Sequence, residues 1–182
     1  KDHYMVDAVS DPLEKFKAKV FLKFLGLRIG VKKKFYRSMF GPTLKNKTGV
    51  YAVRTGSLFG MGAIEQWWHM NKAQNFSEFH KALEPQHIPG FNISYADRYD
   101  TIYYVSNAKL PIRAKGYNWQ KIVPGNTQKT LWKKFYTLKD MPQQLQPSSG
   151  YVYNTNHSPF ISAGPENHLD PDTFNADMGF ER

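Results

Sequence analysis

Residues 91–107 read FNISYADRYDTIYYVSN, and this stretch decides the fold class. Ile93, Tyr95, Ile102, Tyr103, Tyr104 and Val105 are β-branched or aromatic, the types that fit a pleated, half-buried surface. The polar break at Arg98-Tyr99-Asp100 is too short for a crossover, so the two runs are expected to pair antiparallel through a tight turn. Asp97 and Asp100 flank that turn, and turn chemistry accounts for both carboxylates without catalysis.

Upstream, residues 61–84 read as helical. GAIEQWWHMNKA places Ile64, Trp67, Trp68 and Asn71 near one side. NFSEFHKAL opens a second helix with Asn75 or Ser77 as cap and Phe76, Phe79 and Leu83 as its buried stripe, ended by Pro85 and Pro89. Two short strand-like pieces come earlier, KKFYRSM and GVYAVRTG, joined through the turn-rich link FGPTLKNKT as a hairpin or meander. Earlier still, DPLEKFKAKVFLKFL at 11–25 reads as a basic amphipathic helix. Asp11 is its cap, Pro12 takes the first position, and Leu13, Phe16, Val20 and Phe24 form its apolar stripe. Gly26 and Gly30 break it.

Downstream, residues 110–132 read as a long loop. YVYNTN at 151–156 is expected to be the last strand, and an irregular tail follows. The pattern is α+β, an antiparallel sheet with helices packed on one side.

The 182 residues amount to about one domain. With 11 Tyr, 13 Phe and 4 Trp, half-buried sheet faces are favoured, where a ring packs inside and its polar tip stays wet. The net charge is +10, concentrated in Lys15, Lys17, Lys19, Lys23, Arg28, Lys32, Lys33, Lys34 and Arg37. Such a balance permits an anionic partner without establishing one. There is no cysteine, which excludes disulfides, thiolate metal sites and a cysteine nucleophile and leaves the compartment open. No run is long and apolar enough for a transmembrane segment.

The common chemical motifs are absent: no G-x-S-x-G elbow, no H-E-x-x-H, no phosphate loop. The six histidines are scattered, and the closest pair, His80 and His87, lacks the spacing of a helical metal pair. Asp170 and Asp172 offer oxygens of the kind calcium takes, but two carboxylates are too few to close a site. What remains is a set of neutral donors: Asn92, Asn154 and Asn156. In GYVYNTNHSPF (150–160) the last two stand at alternating positions. Two readings stay open there. Asn, Ser and Pro make Asx-type turns, and an Asn amide is also a good oxyanion donor, carrying no charge of its own.

Several blocks together resemble the penicillin acylase family, which includes the acyl-homoserine lactone acylases. They are EQWWHMNKAQNFSEFHKAL, FNISYADRYDTIYYVSNAKLPIR, VPGNTQKTLW and PSSGYVYNTNHSPF, in that order, with YRSMFGP and GVYAVRTG before them, and they cover most of 35–160. Residues 1–34, the basic helix and its connector, match poorly and are a candidate insertion, with 35–182 a fragment of the acylase large-chain domain. The resemblance implies an N-terminal-nucleophile hydrolase, of which this chain supplies part of an αββα sandwich. In that family a serine, freed by self-cleavage, attacks amides with its own α-amino group as base.

No block here matches the segment around that serine, so the chain reads as an internal piece, inactive by itself. Carried over residue by residue, Asn156 falls at the oxyanion-hole position and Phe91 at a position lining the acyl pocket. Arg182 falls at a supporting arginine, with Asn154 and Asn92 as supporting residues. Trp67 and His69 lie in a matching block and are expected to serve helix packing. No cofactor is required, and calcium, through Asp170 or Asp172, is a candidate in the parent protein. The implied partners are a small N-acylated substrate and the rest of the same precursor, with no nucleic acid. The implied location is periplasmic or extracellular. The alternative is a basic, aromatic-rich module that binds anionic surfaces through residues 15–37.

Overall fold

The computed structural model describes residues 3–57 and 60–181. Two compact units emerge, Lys1–Thr55 with Ala114–Leu131 and Gly56–Arg113 with Trp132–Arg182.

The first unit is built from strands. β1 (His3–Val6) and β2 (Val9–Pro12) pair antiparallel through a turn at Asp7-Ala8, both at positive φ. β3 (Glu14–Phe24), β4 (Leu27–Ser38), β5 (Gly41–Lys45) and β6 (Val50–Ala52) form a four-stranded meander in that order. The helix expected over 11–25 is therefore strand β2 and strand β3.

The physical reason is a coincidence of periods. Phe16, Val20 and Phe24 recur every four residues, which suits a helix face, but four is also twice the strand period of two. Ala18 and Leu22 fill the intervening even positions, and the register Phe16↔Phe35, Val20↔Val31, Leu22↔Ile29 and Phe24↔Leu27 gives the ribbon one apolar face. Lys15, Lys17, Lys19 and Lys23 lie opposite Tyr36, Lys34, Lys32 and Arg28 on the other face. Gly30 is inside β4, facing Phe21, where an added Cβ would press on the Lys19 side chain. The expected boundary between 34 and 35 falls within β4. The link FGPTLKNKT is more than a turn, because its Gly41–Lys45 portion is strand β5.

The second unit carries α1 (Gly62–Lys72) and α2 (Phe76–Leu83) on one face of a three-stranded antiparallel sheet. Its strands are β7 (Phe91–Ala96), β8 (Ile102–Asn107) and β9 (Gln143–Leu145), in that spatial order. Asn75 caps α2, its side-chain oxygen accepting from the Glu78 N–H at 3.0 Å. The β7–β8 turn is tied by Asp97, which accepts from the N–H of Tyr99 and of Thr101.

Alternation along the strands divides the sheet. Ile93, Tyr95, Tyr103 and Val105 face the helices. There they pack with Phe76, Phe79, Leu83, Ile88, Leu138, Met141 and Met178 as the core. Tyr104, one position out of step, is equally buried on the opposite face. The central strand is thus covered on both sides. Its second partner strand is Gln143–Leu145; residues 151–156, expected as a strand, carry no strand pairing. They are held by the Asx turn described next and by a bond from the Tyr153 N–H to the Ser162 carbonyl at 2.8 Å.

Candidate active site

Both faces of the sheet carry residues singled out in the sequence. On the helix side, Phe91 begins β7 and its ring meets Trp67 of α1, with centroids 5.7 Å apart. With Ala63, Ile64, Trp68 and Ile88 they line an open, almost wholly apolar groove of about 530 Å³. The i, i+3, i+4 spacing of Ile64, Trp67 and Trp68 builds its wall. His69 points elsewhere, standing 3.9 Å from Glu65. His80 packs on Phe76 and Tyr103, and His87 lies so close to Gly62 that a Cβ there would sit 2.1 Å from its Nδ1. His80 and His87 serve packing, whereas His69, 60% exposed, does not take the helix-packing role expected of it.

On the opposite face, Asn92 and Tyr104 share a side of the β7–β8 pair. The Tyr104 hydroxyl donates to Asn92 Oδ1 at 2.7 Å. Asn154 approaches from the 151–158 loop, its Nδ2 donating to the Tyr104 hydroxyl and to the His157 carbonyl, each at 3.4 Å. Asn154 Oδ1 accepts from the Asn156 N–H at 2.7 Å, which is an Asx turn. Asn156 itself is left-handed, with φ 62°, a conformation Asn tolerates better than most residues. Its side chain is exposed and makes no hydrogen bond among the described residues.

His157 fixes the other side of the loop. The Thr155 N–H donates to Nδ1 at 3.1 Å, so the ring hydrogen sits on Nε2, which faces the Ile161 carbonyl at 3.3 Å. Ser158 donates to the Glu181 carbonyl at 2.6 Å. The plain turn read from GYVYNTNHSPF is present, and it leaves the Asn156 side-chain amide without a hydrogen bond among the described residues.

Burial pushes the Tyr104 hydroxyl up to about 12, against a smaller lowering influence from Ser106, and pushes that of Tyr103 still higher. Both keep their hydrogens at any working pH. Neither Tyr104 nor His157 was among the residues the motifs pointed to. Tyr104 was legible in one respect: pairing Ser94 with Tyr104 puts it on the Asn92 side of the hairpin.

Asp170 and Asp172 are exposed in the tail. Asp170 Oδ1 accepts from the Asp172 N–H at 2.9 Å, capping a short 3-10 turn. No group of three or more His, Cys, Asp or Glu side chains placed to hold a metal occurs among the described residues, and two carboxylates leave most of a calcium shell to other oxygens. Arg182 lies outside the described residues. No described helix is long and apolar enough to cross a membrane.

A family model described as Penicillin amidase matches residues 1–178. Penicillin G acylase of Escherichia coli is 36% identical over 99 residues, 54% of this chain and 12% of that protein. The solved thermostable penicillin G acylase from Alcaligenes faecalis superposes with a TM-score of 0.69 at 23% identity, covering 96% of this chain and 30% of that one. The chain therefore spans about an eighth of the curated relative and under a third of the solved one.

Proposed function

The chain belongs to the penicillin amidase family, and from that premise we propose that the protein hydrolyses the amide bond of small N-acylated molecules. Penicillins, cephalosporins and acyl-homoserine lactones are the substrate types this reading embraces. A serine contributed from outside residues 1–182 attacks the amide carbon, its own α-amino group taking the hydroxyl proton. The carbonyl oxygen becomes a tetrahedral oxyanion, the amine leaves with the proton, and water then cleaves the acyl-serine ester. In this reading the present segment supplies recognition and charge stabilisation, and has no turnover by itself.

Asn156 donates its side-chain NH₂ to the oxyanion, and Phe91 with Trp67 seats the acyl chain in the apolar groove. Asn92 and Asn154 support the site. The reaction as written needs no cofactor. The remaining partners are the small chain and the rest of the large chain, in a precursor exported to the periplasm or beyond. The observation that carries this reading is the unspent Asn156 amide, presented on a turn that its neighbours fix. The test is the full-length protein on panels of penicillin, cephalosporin and acyl-homoserine lactone. Amide hydrolysis that persists undiminished in Asn156→Ala would remove Asn156 from its role.

A second reading is favoured by one observation. The β3–β4 ribbon has a face of Lys15, Lys17, Lys19, Lys23, Arg28, Lys32 and Lys34 with no carboxylate among them. Such a face suits an anionic surface. Binding to anionic vesicles that fades steeply with salt and disappears on Lys→Glu changes would support it, and salt-independent behaviour would dismiss it.

A further inference from the structure

We infer that Tyr104 is the positioning residue of the oxyanion site, holding the Asn156 turn in place through Asn154. The inference rests on the reading of Asn156 as oxyanion donor. Hydrogen-bond directions follow from what each group has to give. The Asn156 N–H occupies Asn154 Oδ1 at 2.7 Å. Asn154 is thereby oriented, with its Nδ2 turned to the Tyr104 hydroxyl and the His157 carbonyl. The hydroxyl accepts there, and its single hydrogen goes to Asn92 Oδ1 at 2.7 Å. The chain of bonds runs one way: Asn154 to Tyr104 to Asn92. It leaves the Nδ2 of Asn92 and of Asn156 without partners among the described residues.

Tyr104 is suited to this. It sits on the central strand, paired on one side with Ser94 and on the other with Gln144, and is 0% exposed. Its hydroxyl therefore stands at a place fixed by the sheet. The loop it meets is not strand, and it contains a residue at φ 62°. A strained conformation persists only where surroundings over-determine it. Asn154 supplies that constraint to Asn156, and Tyr104 supplies it to Asn154.

The test uses the full-length protein on a series of chromogenic N-acyl anilides. Tyr104→Phe removes the hydroxyl and keeps the ring. We expect kcat to fall about tenfold, in line with the cost of small misplacement, with KM changed less than about twofold because Tyr104 does not line the acyl groove. Added to Asn156→Ala, Tyr104→Phe should cost nothing further, since a positioning residue acts only through its target. A crystal structure of Tyr104→Phe should show Asn154 rotated and Asn156 displaced.

An unchanged kcat in Tyr104→Phe, while Asn156→Ala is impaired, overturns this inference and leaves the oxyanion reading standing. An additive loss in the double variant also overturns it, marking Tyr104 as merely structural. Full activity in Asn156→Ala, or no amide hydrolysis by the unaltered protein, overturns both.

Discussion

Phe91 and Asn92 are neighbours in sequence and serve opposite faces of one sheet. The Phe91 ring meets Trp67 on the helix side, while Asn92 accepts from Tyr104 on the other. Strand alternation alone makes this division. An apolar groove and a polar amide array thereby begin one residue apart at the start of β7.

Phe91→Ala should accordingly change selectivity more than catalysis. Removing the ring opens one wall of the groove opposite Trp67. A lost apolar contact of this kind is worth about 1–3 kcal/mol of discrimination. In the full-length protein kcat/KM should fall for aromatic or medium acyl chains and fall less for bulkier ones. Equal losses across an acyl series would show that the groove does not hold the acyl group.

Asn156→Ala should cost about 10²–10³ in kcat, the usual effect of one oxyanion donor. Asn156 also has φ 62°, so Ala adds backbone strain of about 1 kcal/mol. Asn156→Gly separates the two effects, since it removes the amide without the strain. The Gly variant should match the Ala variant in rate and exceed it in Tm. A Gly variant with unaltered kcat would mean that only the backbone of this turn matters.

How much of this was legible follows from particular residues. The β7–β8 hairpin and both helices were readable because their signals were local: a polar tripeptide between two β-branched runs, and an Asn cap before an apolar stripe. Residues 11–25 misled because spacings of four satisfy a helix and a strand alike. The discriminating fact, pairing with 27–38, lies beyond the segment and rests on a two-residue turn at Leu25-Gly26. The Asn154/Asn156 alternation suggested a strand for the same kind of reason. An Asx bond within the tripeptide consumed it instead. The role of Tyr104 needed the register and also the approach of a loop fifty residues away, and no local pattern carries that.

Gln66 offers a test of the helix packing. It is 2% exposed, and its Oε1 accepts from the N–H of His87 at 2.6 Å and of Ile88 at 3.1 Å. These bonds pin the chain leaving α2 to the side of α1. Gln66→Leu leaves one part-buried and one buried N–H unpaired and should cost about 2–3 kcal/mol, lowering Tm measurably. A Tm within a degree of the parent would mean that water replaces the side chain there.

Stability should decline with acid partly through Asp97. Desolvation disfavours its charge, but hydrogen bonds from Tyr95 and from the N–H groups of Thr101 and Tyr99 outweigh that and hold its carboxyl below the usual range. A carboxyl lowered in the folded state contributes stability that is complete above its unfolded pKa, about 3.9, and is lost as pH falls through the folded value. Between the two values the unfolded chain binds more protons, so stability rises with pH. Thermal melts from pH 7 to pH 3 should be steeper below pH 4 for the parent than for Asp97→Asn. Parallel curves would show that the turn gains nothing from the ionised form.

The tip of the β3–β4 ribbon is open to improvement, and the direction can be stated. Leu25 and Gly26 both have positive φ, 47° and 79°, the arrangement of a type I′ hairpin turn, for which Asn-Gly is the preferred pair. Leu25 is 86% exposed, so its side chain gains little from burial to offset the left-handed backbone. Leu25→Asn should therefore stabilise the ribbon by about 1 kcal/mol, whereas β-branched Leu25→Ile should destabilise it. Gly26→Ala should destabilise it as well, purely through the backbone, since nothing lies within 4 Å of the added methyl. Amide hydrogen exchange along the β3–β4 ladder reads these changes locally: protection should increase for Leu25→Asn and drop for the other two. Uniform protection in all three variants would mean that the turn does not hold the register, and that the apolar face along Phe16, Val20 and Leu22 holds it instead.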